Sequence, residues 1–233
     1  MAHDSHGGVV TAVVAETRVV VETAVAAEET PVTGVVTPVA FRLRRPLTSL
    51  IVSLGSPMPH LIESAKTGRA KCRACGKPIA AGALRFGERV PNPFADDGGE
   101  TTHWFHVPCA AFTRPEAFLL TLPSITDPLP DREHLEQAAQ AGVAHRRLPR
   151  VAGAGRASSG RAVCRHCKET IAKDNWRIAL AYYEEGRFAP SGFIHLGCAR
   201  EYLETTDVLD RVRNFSPDLT DADAEEILRE LQP

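Results

Sequence analysis

Residues with strand character are grouped into two pairs along the chain, and a turn-rich segment separates the members of each pair. The first pair covers Leu84–Val90 and Thr102–Phe105, and the second covers Trp176–Tyr183 and Phe188–His195. Helices are predicted beside these pairs, over residues 60–66, 109–112, 131–141, 198–204 and 221–231. Strand pairs accompanied by helices, twice over, predict an α+β chain built from two small modules.

An internal repeat supports the division into two modules. The segment Gly68–Cys75 recurs as Gly160–Cys167 with an offset of 92 residues, and His106–Ala110 recurs as His195–Ala199 with an offset of 89. The second copy therefore has three fewer residues between its two halves. A loop deletion that leaves both ends in register is what two copies of one folded unit should show.

The two copies contain all six cysteines of the protein and repeat one ligand pattern. Each copy reads Cys-x2-Cys, then an insert of 30 or 27 residues, then His-x2-Cys. Three thiolates and one imidazole favour zinc over calcium or magnesium, and four protein ligands close the coordination sphere of a structural site. The sequence therefore predicts two Zn²⁺ ions, with the ligand sets Cys72, Cys75, His106, Cys109 and Cys164, Cys167, His195, Cys198.

The cysteines and histidines also allow other interpretations. Six cysteines could form three disulfides, but the start of the chain lacks the basic and apolar regions of a secretory signal, which favours a reducing compartment. Iron–sulfur clusters usually take four cysteines per site, and this spacing does not match them. His103 could compete with His106 as a ligand, but the second copy has Gly192 at the equivalent position.

Composition limits the class of protein without deciding the function. Aromatic residues make up only 6% of the chain, which favours several small modules over one large core. The formal net charge of -2 excludes a histone-like polycation, although nucleic-acid binding depends on where the positive charge lies. No apolar run reaches the roughly 18–20 residues that span a bilayer, so we expect no membrane association.

These patterns divide the chain into four regions. Residues 1–58 form a low-complexity segment rich in Ala, Val, Thr and Glu that we expect to be mostly disordered, with an ordered β-segment as the alternative. The first module is placed at 59–142 and the second, with a C-terminal helix, at 159–233. Residues 143–158 contain Gly, Ser and four arginines and predict a flexible basic linker between the modules.

The repeated segments resemble a known family. Gly68-Arg69-Ala70 before the first cysteine pair, with Trp104-Phe105-His106 later, closely resembles the zinc finger of the poly(ADP-ribose) polymerases, which also occurs in a nuclear DNA ligase. The second copy resembles it equally well, and the resemblance covers about 150 of the 233 residues. It implies a small antiparallel sheet with helices around one zinc, and recognition of DNA ends, nicks and gaps by structure. Nothing resembles the transferase domain of the family, so we expect no enzymatic activity.

The resemblance also assigns DNA-contacting side chains. It implies that four arginines contact backbone phosphates. Arg69 and Arg161 lie in the two Gly-Arg-Ala turns, and one arginine follows each cysteine pair by ten residues, Arg85 in the first copy and Arg177 in the second. Apolar side chains of the tip loops would stack on exposed base pairs, with Phe94 as the match in the first copy and Phe188 as the weaker match in the second. From the residues alone, Arg85 or Arg177 could instead form an ion pair, and Phe94 could pack inward.

The prediction is therefore a zinc protein with two fingers that binds DNA breaks, nicks or ends through phosphates and base stacking. Its DNA affinity should be modest and sensitive to salt, because residues 60–125 and residues 156–204 each contain only two more basic than acidic residues. A zinc-stabilised scaffold for protein partners is the alternative, and the local acidic residues favour it. We expect a monomer, located in the nucleus in a eukaryote or in the cytoplasm and nucleoid in a bacterium.

Overall fold

Two three-stranded antiparallel sheets, each followed by helices, form the part of the chain that the structure describes. This computed structural model describes residues 60–92, 94–95, 99–184 and 186–232. The predicted disorder of residues 1–58 therefore lies outside the described residues. The described residues belong to one unit, Ser53–Pro233. No helix among them is both long enough and apolar enough to cross a bilayer.

The first module contains the sheet β1-β2-β3 and three helices. Its strands are β1 (Leu61–Ser64), β2 (Leu84–Pro91) and β3 (Glu100–His106), and its helices are α1 (Val107–Thr113), α2 (Pro115–Thr121) and α3 (Arg132–Ala144). Prolines lie in the first turns of α1 and α2, where a missing N–H costs nothing. Its core contains three fully buried phenylalanines, with the rings of Phe105 and Phe118 centred 6.2 and 6.0 Å from the ring of Phe86.

The second module contains the sheet β4-β5-β6 and three more helices. Its strands are β4 (Val151–Arg156), β5 (Trp176–Glu184) and β6 (Arg187–His195), and its helices are α4 (Ala199–Leu203), α5 (Leu209–Phe215) and α6 (Asp221–Leu231). A capping box between Thr220 and Asp223 begins α6. The core of this module is aliphatic, and its fully buried side chains include Ile178, Ile194 and Ile227.

The two modules repeat the same backbone framework. The N–H of Arg73 donates to the carbonyl of Trp104 at 2.9 Å, and the N–H of Arg165 donates to the carbonyl of Phe193 at 2.8 Å. These donors are 92 residues apart and these acceptors 89, the same offsets as in the sequence repeat. The repeat is therefore a repeat of structure as well as of sequence.

The segment 143–158 is not the flexible linker that the sequence predicts. Helix α3 continues to Ala144, a short 3-10 turn follows at Leu148–Arg150, and β4 then pairs with β5. Gly153 has a φ of +117°, and a Cβ there would lie 2.4 Å from Ser216 Oγ, so the small residues allow close packing against α5. The second sheet accordingly begins at β4, before residue 159. The helix predicted over 60–66 is also wrong, because this segment pairs with β2 as strand β1.

A partly buried polar network joins the modules. Tyr183 of β5 places its phenol oxygen 2.6 Å from Nδ1 of His103 on β3, and the Arg114 guanidinium lies 4.2 Å over the Tyr183 ring. Arg114 also donates to the buried carboxylate of Glu88, with its Nε 2.8 Å from Oε1. Because a buried charge needs a partner, Arg114 and Glu88 satisfy each other beneath the tyrosine.

Candidate metal centres and nucleic-acid interface

Three elements of the first module bring its predicted metal ligands together. Cys72 and Cys75 lie in the turn between β1 and β2, His106 ends β3, and Cys109 lies in the first turn of α1. Their four donor atoms all lie within 4.8 Å of one another. Residues more than 30 positions apart in the sequence therefore form one Cys3His cluster.

The distances in this cluster fit a tetrahedral zinc site. His106 Nδ1 lies 3.4 Å from Cys75 Sγ and 4.0 Å from Cys109 Sγ. Zinc–sulfur and zinc–nitrogen bonds of about 2.3 and 2.0 Å at a tetrahedral angle separate the two ligand atoms by about 3.5 Å. The cluster therefore needs only small adjustments to coordinate one zinc ion.

Neighbouring groups orient two of the ligands. His106 Nε2 lies 3.2 Å from the carbonyl oxygen of Pro78, and donation to that carbonyl leaves Nδ1 available for the metal. Asn214 of α5, which belongs to the second module, donates from Nδ2 to Cys109 Sγ at 3.4 Å. One metal centre is thus supported by a side chain from each module.

The second module contains an equivalent cluster of Cys164, Cys167, His195 and Cys198. His195 Nδ1 lies 3.4 Å from Cys167 Sγ and 3.9 Å from Cys198 Sγ, close to the distances in the first cluster. Cys167 is exposed, whereas Cys164 is buried. The donor set and spacing fit a second zinc ion.

Electrostatics within the clusters favour a bound cation. Burial acts to raise the pKa of the Cys164 thiol, but hydrogen bonds from surrounding backbone N–H groups lower it to about 6. Burial, followed by the charge of Cys164, raises the pKa of Cys198 to about 12. Three adjacent thiolates repel one another, so a divalent cation is needed for all three to ionise together. Each Cys3His cluster can therefore hold a zinc ion whose four protein ligands leave no open position.

The arginines of the two Gly-Arg-Ala turns are both exposed. Arg69 and Arg161 each lie in the turn that precedes a cysteine pair, and neither forms an ion pair with another described residue. Their guanidinium groups are therefore accessible to an anionic ligand.

Arg85 and Arg177 differ, although both stack on an aromatic ring. Arg85 lies 3.5 Å over the ring of Trp104, and Arg177 lies 3.6 Å over the ring of Phe193. Arg85 is also bound to Glu63, and its side chain is only 11% exposed. Glu63 therefore occupies the guanidinium group with which Arg85 was predicted to contact phosphate. Among the described residues, Arg177 has no ion-pair partner.

The two predicted stacking residues also differ. Phe94 is 93% exposed, and Asn92 Oδ1 accepts a hydrogen bond from the Phe94 N–H at 3.1 Å, which helps to hold the turn. Phe188 is instead half-buried, with its ring centred 4.8 Å from that of Tyr183, and it packs against the core of the first module. Phe188 is therefore part of the contact between modules and is not an exposed tip residue.

A groove that the sequence does not predict lies between the modules. Two adjoining cavities share Arg73 and Arg187 in their walls, and Lys71 lines one of them together with Arg69. Lys71 and Arg73 flank Cys72, so the sequence places them beside the metal site. No sequence signal connects Arg187 with them, because it lies in the other module. We call this feature the inter-module groove.

Comparison with known proteins identifies the first of these modules. Residues 63–146 match the family model described as the poly(ADP-ribose) polymerase and DNA-ligase Zn-finger region. This match begins in β1 and ends just after α3, so it contains the whole first metal cluster.

Individual relatives extend the comparison. A poly [ADP-ribose] polymerase of Sarcophaga peregrina is 28% identical over 144 residues, covering 54% of this chain and 14% of that protein. Poly [ADP-ribose] polymerase 1 of Gallus gallus is 31% identical over 140 residues, covering 52% and 13%. Polynucleotide 3'-phosphatase ZDP of Arabidopsis thaliana is 24% identical over 185 residues, covering 68% and 26%.

These alignments span only a small part of each relative. The family model, by contrast, matches the first module. The spacing of the metal ligands, the geometry of the first cluster and the family match all indicate the same type of zinc finger. Residues 63–146 of this chain are a zinc-finger region of the poly(ADP-ribose) polymerase type.

Proposed function

We propose that the protein is a non-enzymatic zinc protein that binds DNA, preferentially at breaks, nicks or ends, through backbone phosphates and base stacking. The observation that carries the proposal is the 93% exposed ring of Phe94, at the tip of the same finger that presents the exposed Arg69. A ring at a protruding tip can cover the base pair exposed at a break, whereas an intact duplex offers no such surface. The guanidinium of Arg69 can bind phosphate through two parallel hydrogen bonds.

The second module is proposed to be a finger of the same type. It repeats the backbone hydrogen bonds and the Cys3His cluster of the first module. The alignments with the polymerases cover more than half of this chain and so extend beyond the 63–146 match. Arg161 and Arg177 are its proposed phosphate contacts, whereas no stacking role is proposed for Phe188, which is half-buried.

A direct test compares the binding of nicked, gapped and intact duplexes at two salt concentrations. The Phe94→Ala variant should bind nicked duplex about 5- to 150-fold more weakly, from a stacking contribution of about 1–3 kcal/mol. Leu120→Ala is a matched control, because Leu120 is 77% exposed on α2 and lines none of the cavities around Phe94. Equal affinity of the unaltered protein for all three duplexes would eliminate break selectivity.

A scaffold for protein partners is the second candidate, and the ion pair between Arg85 and Glu63 favours it. That pair occupies one of the arginines that DNA binding was predicted to use. A zinc-loaded sample that binds none of the three duplexes would select the scaffold.

Cellular location and oligomeric state follow from the proposed function as expectations. DNA binding would place the protein in the nucleus of a eukaryote, or in the cytoplasm and nucleoid of a bacterium. A monomer is proposed, and the mass of the zinc-loaded protein in solution tests it.

A further inference from the structure

The inter-module groove carries positive charge from both modules. Arg69, Lys71 and Arg73 come from the first module, and Arg187 comes from the start of β6 in the second. All four residues are exposed, and none forms an ion pair with another described residue. Four uncompensated cations along one concave surface predict an anionic ligand.

The acidic side chains that the structure describes do not offset this charge at the groove walls. Among the described residues, no Asp or Glu lines either of the two cavities. Glu184 is the nearest in the β5–β6 pairing, where it lies opposite Arg187, but the two side chains do not form an ion pair. Glu88 lies beneath the groove and is already paired with Arg114.

Aromatic side chains accompany the cations along the groove. Phe94 and Tyr183 line one cavity, and Trp104 and Phe188 line the other. A positively charged groove lined with aromatic rings is the usual design of a site for a single nucleic-acid strand, because the cations follow the phosphates and the rings stack on bases. The exposed ring of Phe94 is the one most available for such stacking.

Packing between the modules fixes Arg187 beside the first finger. The preceding residue, Gly186, has a φ of +77°, and a Cβ there would lie 2.5 Å from Cε1 of His103. Gly186 therefore lies directly against β3, where His103 is also held by Tyr183. Folding thus positions the backbone of Arg187, and only its exposed side chain must be ordered on binding.

We infer that the inter-module groove binds an unpaired DNA strand, such as the overhang at a break, and that Arg187 completes a phosphate-binding row begun by Arg69, Lys71 and Arg73. This inference rests on the proposed DNA-binding function and adds the substrate class and a contribution from the second module. The cations bind successive phosphates, and Phe94 stacks on a base at one end of the groove.

The experiment uses the full zinc-loaded chain and measures binding to a blunt duplex, the same duplex with a short unpaired overhang, and the free single strand. Arg73→Ala and Arg187→Ala should each weaken binding of the overhang duplex and the single strand, with little change for the blunt duplex. Each lost phosphate contact should reduce the salt slope by about 0.7, so that the affinity ratio between about 50 and 200 mM salt falls about 2.6-fold.

Two further variants separate a specific contact from a general effect. Arg200→Ala is the matched control, because Arg200 is an exposed arginine of the second module that lines neither cavity. Arg187→Lys keeps the charge and should retain most of the affinity for the overhang. Zinc content measured for every variant shows that the fingers remain folded.

The outcomes distinguish this inference from the proposed function. The protein could bind the blunt duplex while Arg187→Ala and Arg200→Ala bind the overhang duplex with equal affinity. In that case the inference of a shared groove is wrong, and the proposed function stands. A loss confined to Arg73→Ala overturns the contribution of the second module. Tighter binding of an RNA strand of the same sequence overturns the assignment to DNA. If no DNA binds at all, the proposed function and the inference both fail.

Discussion

Arg85 lies directly opposite Glu63 in the pairing of β1 with β2, and its Nη2 and Nε donate to that carboxylate at 2.5 and 3.2 Å. In the second module, the residue opposite the equivalent arginine, Arg177, is Gly155. Because glycine has no side chain, Arg177 lacks the carboxylate that holds Arg85. One repeated position is therefore structural in the first module and available to a ligand in the second.

Replacing these two arginines should have different effects. Arg85→Ala should lower the free energy of unfolding by about 1–2 kcal/mol, because it leaves the Glu63 carboxylate without its partner. The loss stays this small because the Glu63 side chain is one-third exposed and solvent screens its charge. Arg177→Ala should weaken binding to nicked DNA several-fold with a smaller effect on stability. Urea denaturation and DNA titration of both variants test this, and the reverse ranking would contradict it.

Asn214 should tune the first metal centre from the second module. Because its amide donates to Cys109 Sγ at 3.4 Å, Asn214→Ala removes a hydrogen bond to a metal-binding thiolate. Loss of such a contact typically lowers metal affinity about 10- to 100-fold. Competition with a chromogenic chelator should show one weakened zinc and one unchanged zinc per chain. A variant in which both sites weaken equally, or neither does, would argue against this role.

Acid should weaken the contact between modules through His103. Burial, and then the positive charge of Arg73, lower the pKa of His103 from 6.5, with Glu88 opposing and Arg114 adding to the shift. The unfolded chain therefore takes up a proton at this histidine more readily than the folded chain, so its contribution to stability falls as the pH drops below about 6.5.

The effect of His103 can be separated from that of the metal ligands by a variant. Protonation of the Cys3His ligands affects the unaltered protein and His103→Gln alike. The stability of the unaltered protein relative to His103→Gln should therefore decrease from about pH 7.5 to pH 5.5. Urea denaturation at several pH values measures this difference, and a constant difference would show that His103 does not contribute.

Gly186 should be less tolerant of substitution than a glycine of similar conformation elsewhere. Gly186 and Gly82 have φ values of +77° and +80°, so alanine strains the backbone comparably at both positions. Only Gly186 adds a clash, because its Cβ would lie 2.5 Å from His103, whereas nothing lies within 4 Å of a Cβ at Gly82. Gly186→Ala should therefore cost about 1–3 kcal/mol more than Gly82→Ala. Equal losses in denaturation experiments would mean that the turn does not pack tightly against β3.

The metal clusters could be predicted from the sequence because their ligands lie in two short motifs whose repetition fixes the pairing. The main strands could also be predicted, since β2, β5 and β6 each contain aromatic and branched aliphatic residues. Each motif is local, and the pairing of β2 with β3 or of β5 with β6 brings the two motifs of a cluster together.

Contacts between residues far apart in the sequence could not be predicted in the same way. Strand β4 consists mainly of Ala and Gly, so its sequence has the composition of a linker, and only pairing with β5 makes it a strand. The partner of Arg85 lies 22 residues earlier, and no periodicity indicates it. Phe188 and Arg187 lie where the second module contacts the first, and nothing in either copy alone signals that contact.

The continuous path from α3 through the 3-10 turn into β4 fixes how the two metal centres are spaced. A flexible tether would adapt to many arrangements of two DNA segments, whereas a folded connection holds the two modules in one arrangement. Under the proposed function, DNA that contacts both modules would have to match the spacing that folding has already set. Because a nick or gap bends at lower energetic cost than a continuous duplex, the stiffness of the DNA would then favour the proposed binding at breaks without any base-specific contact.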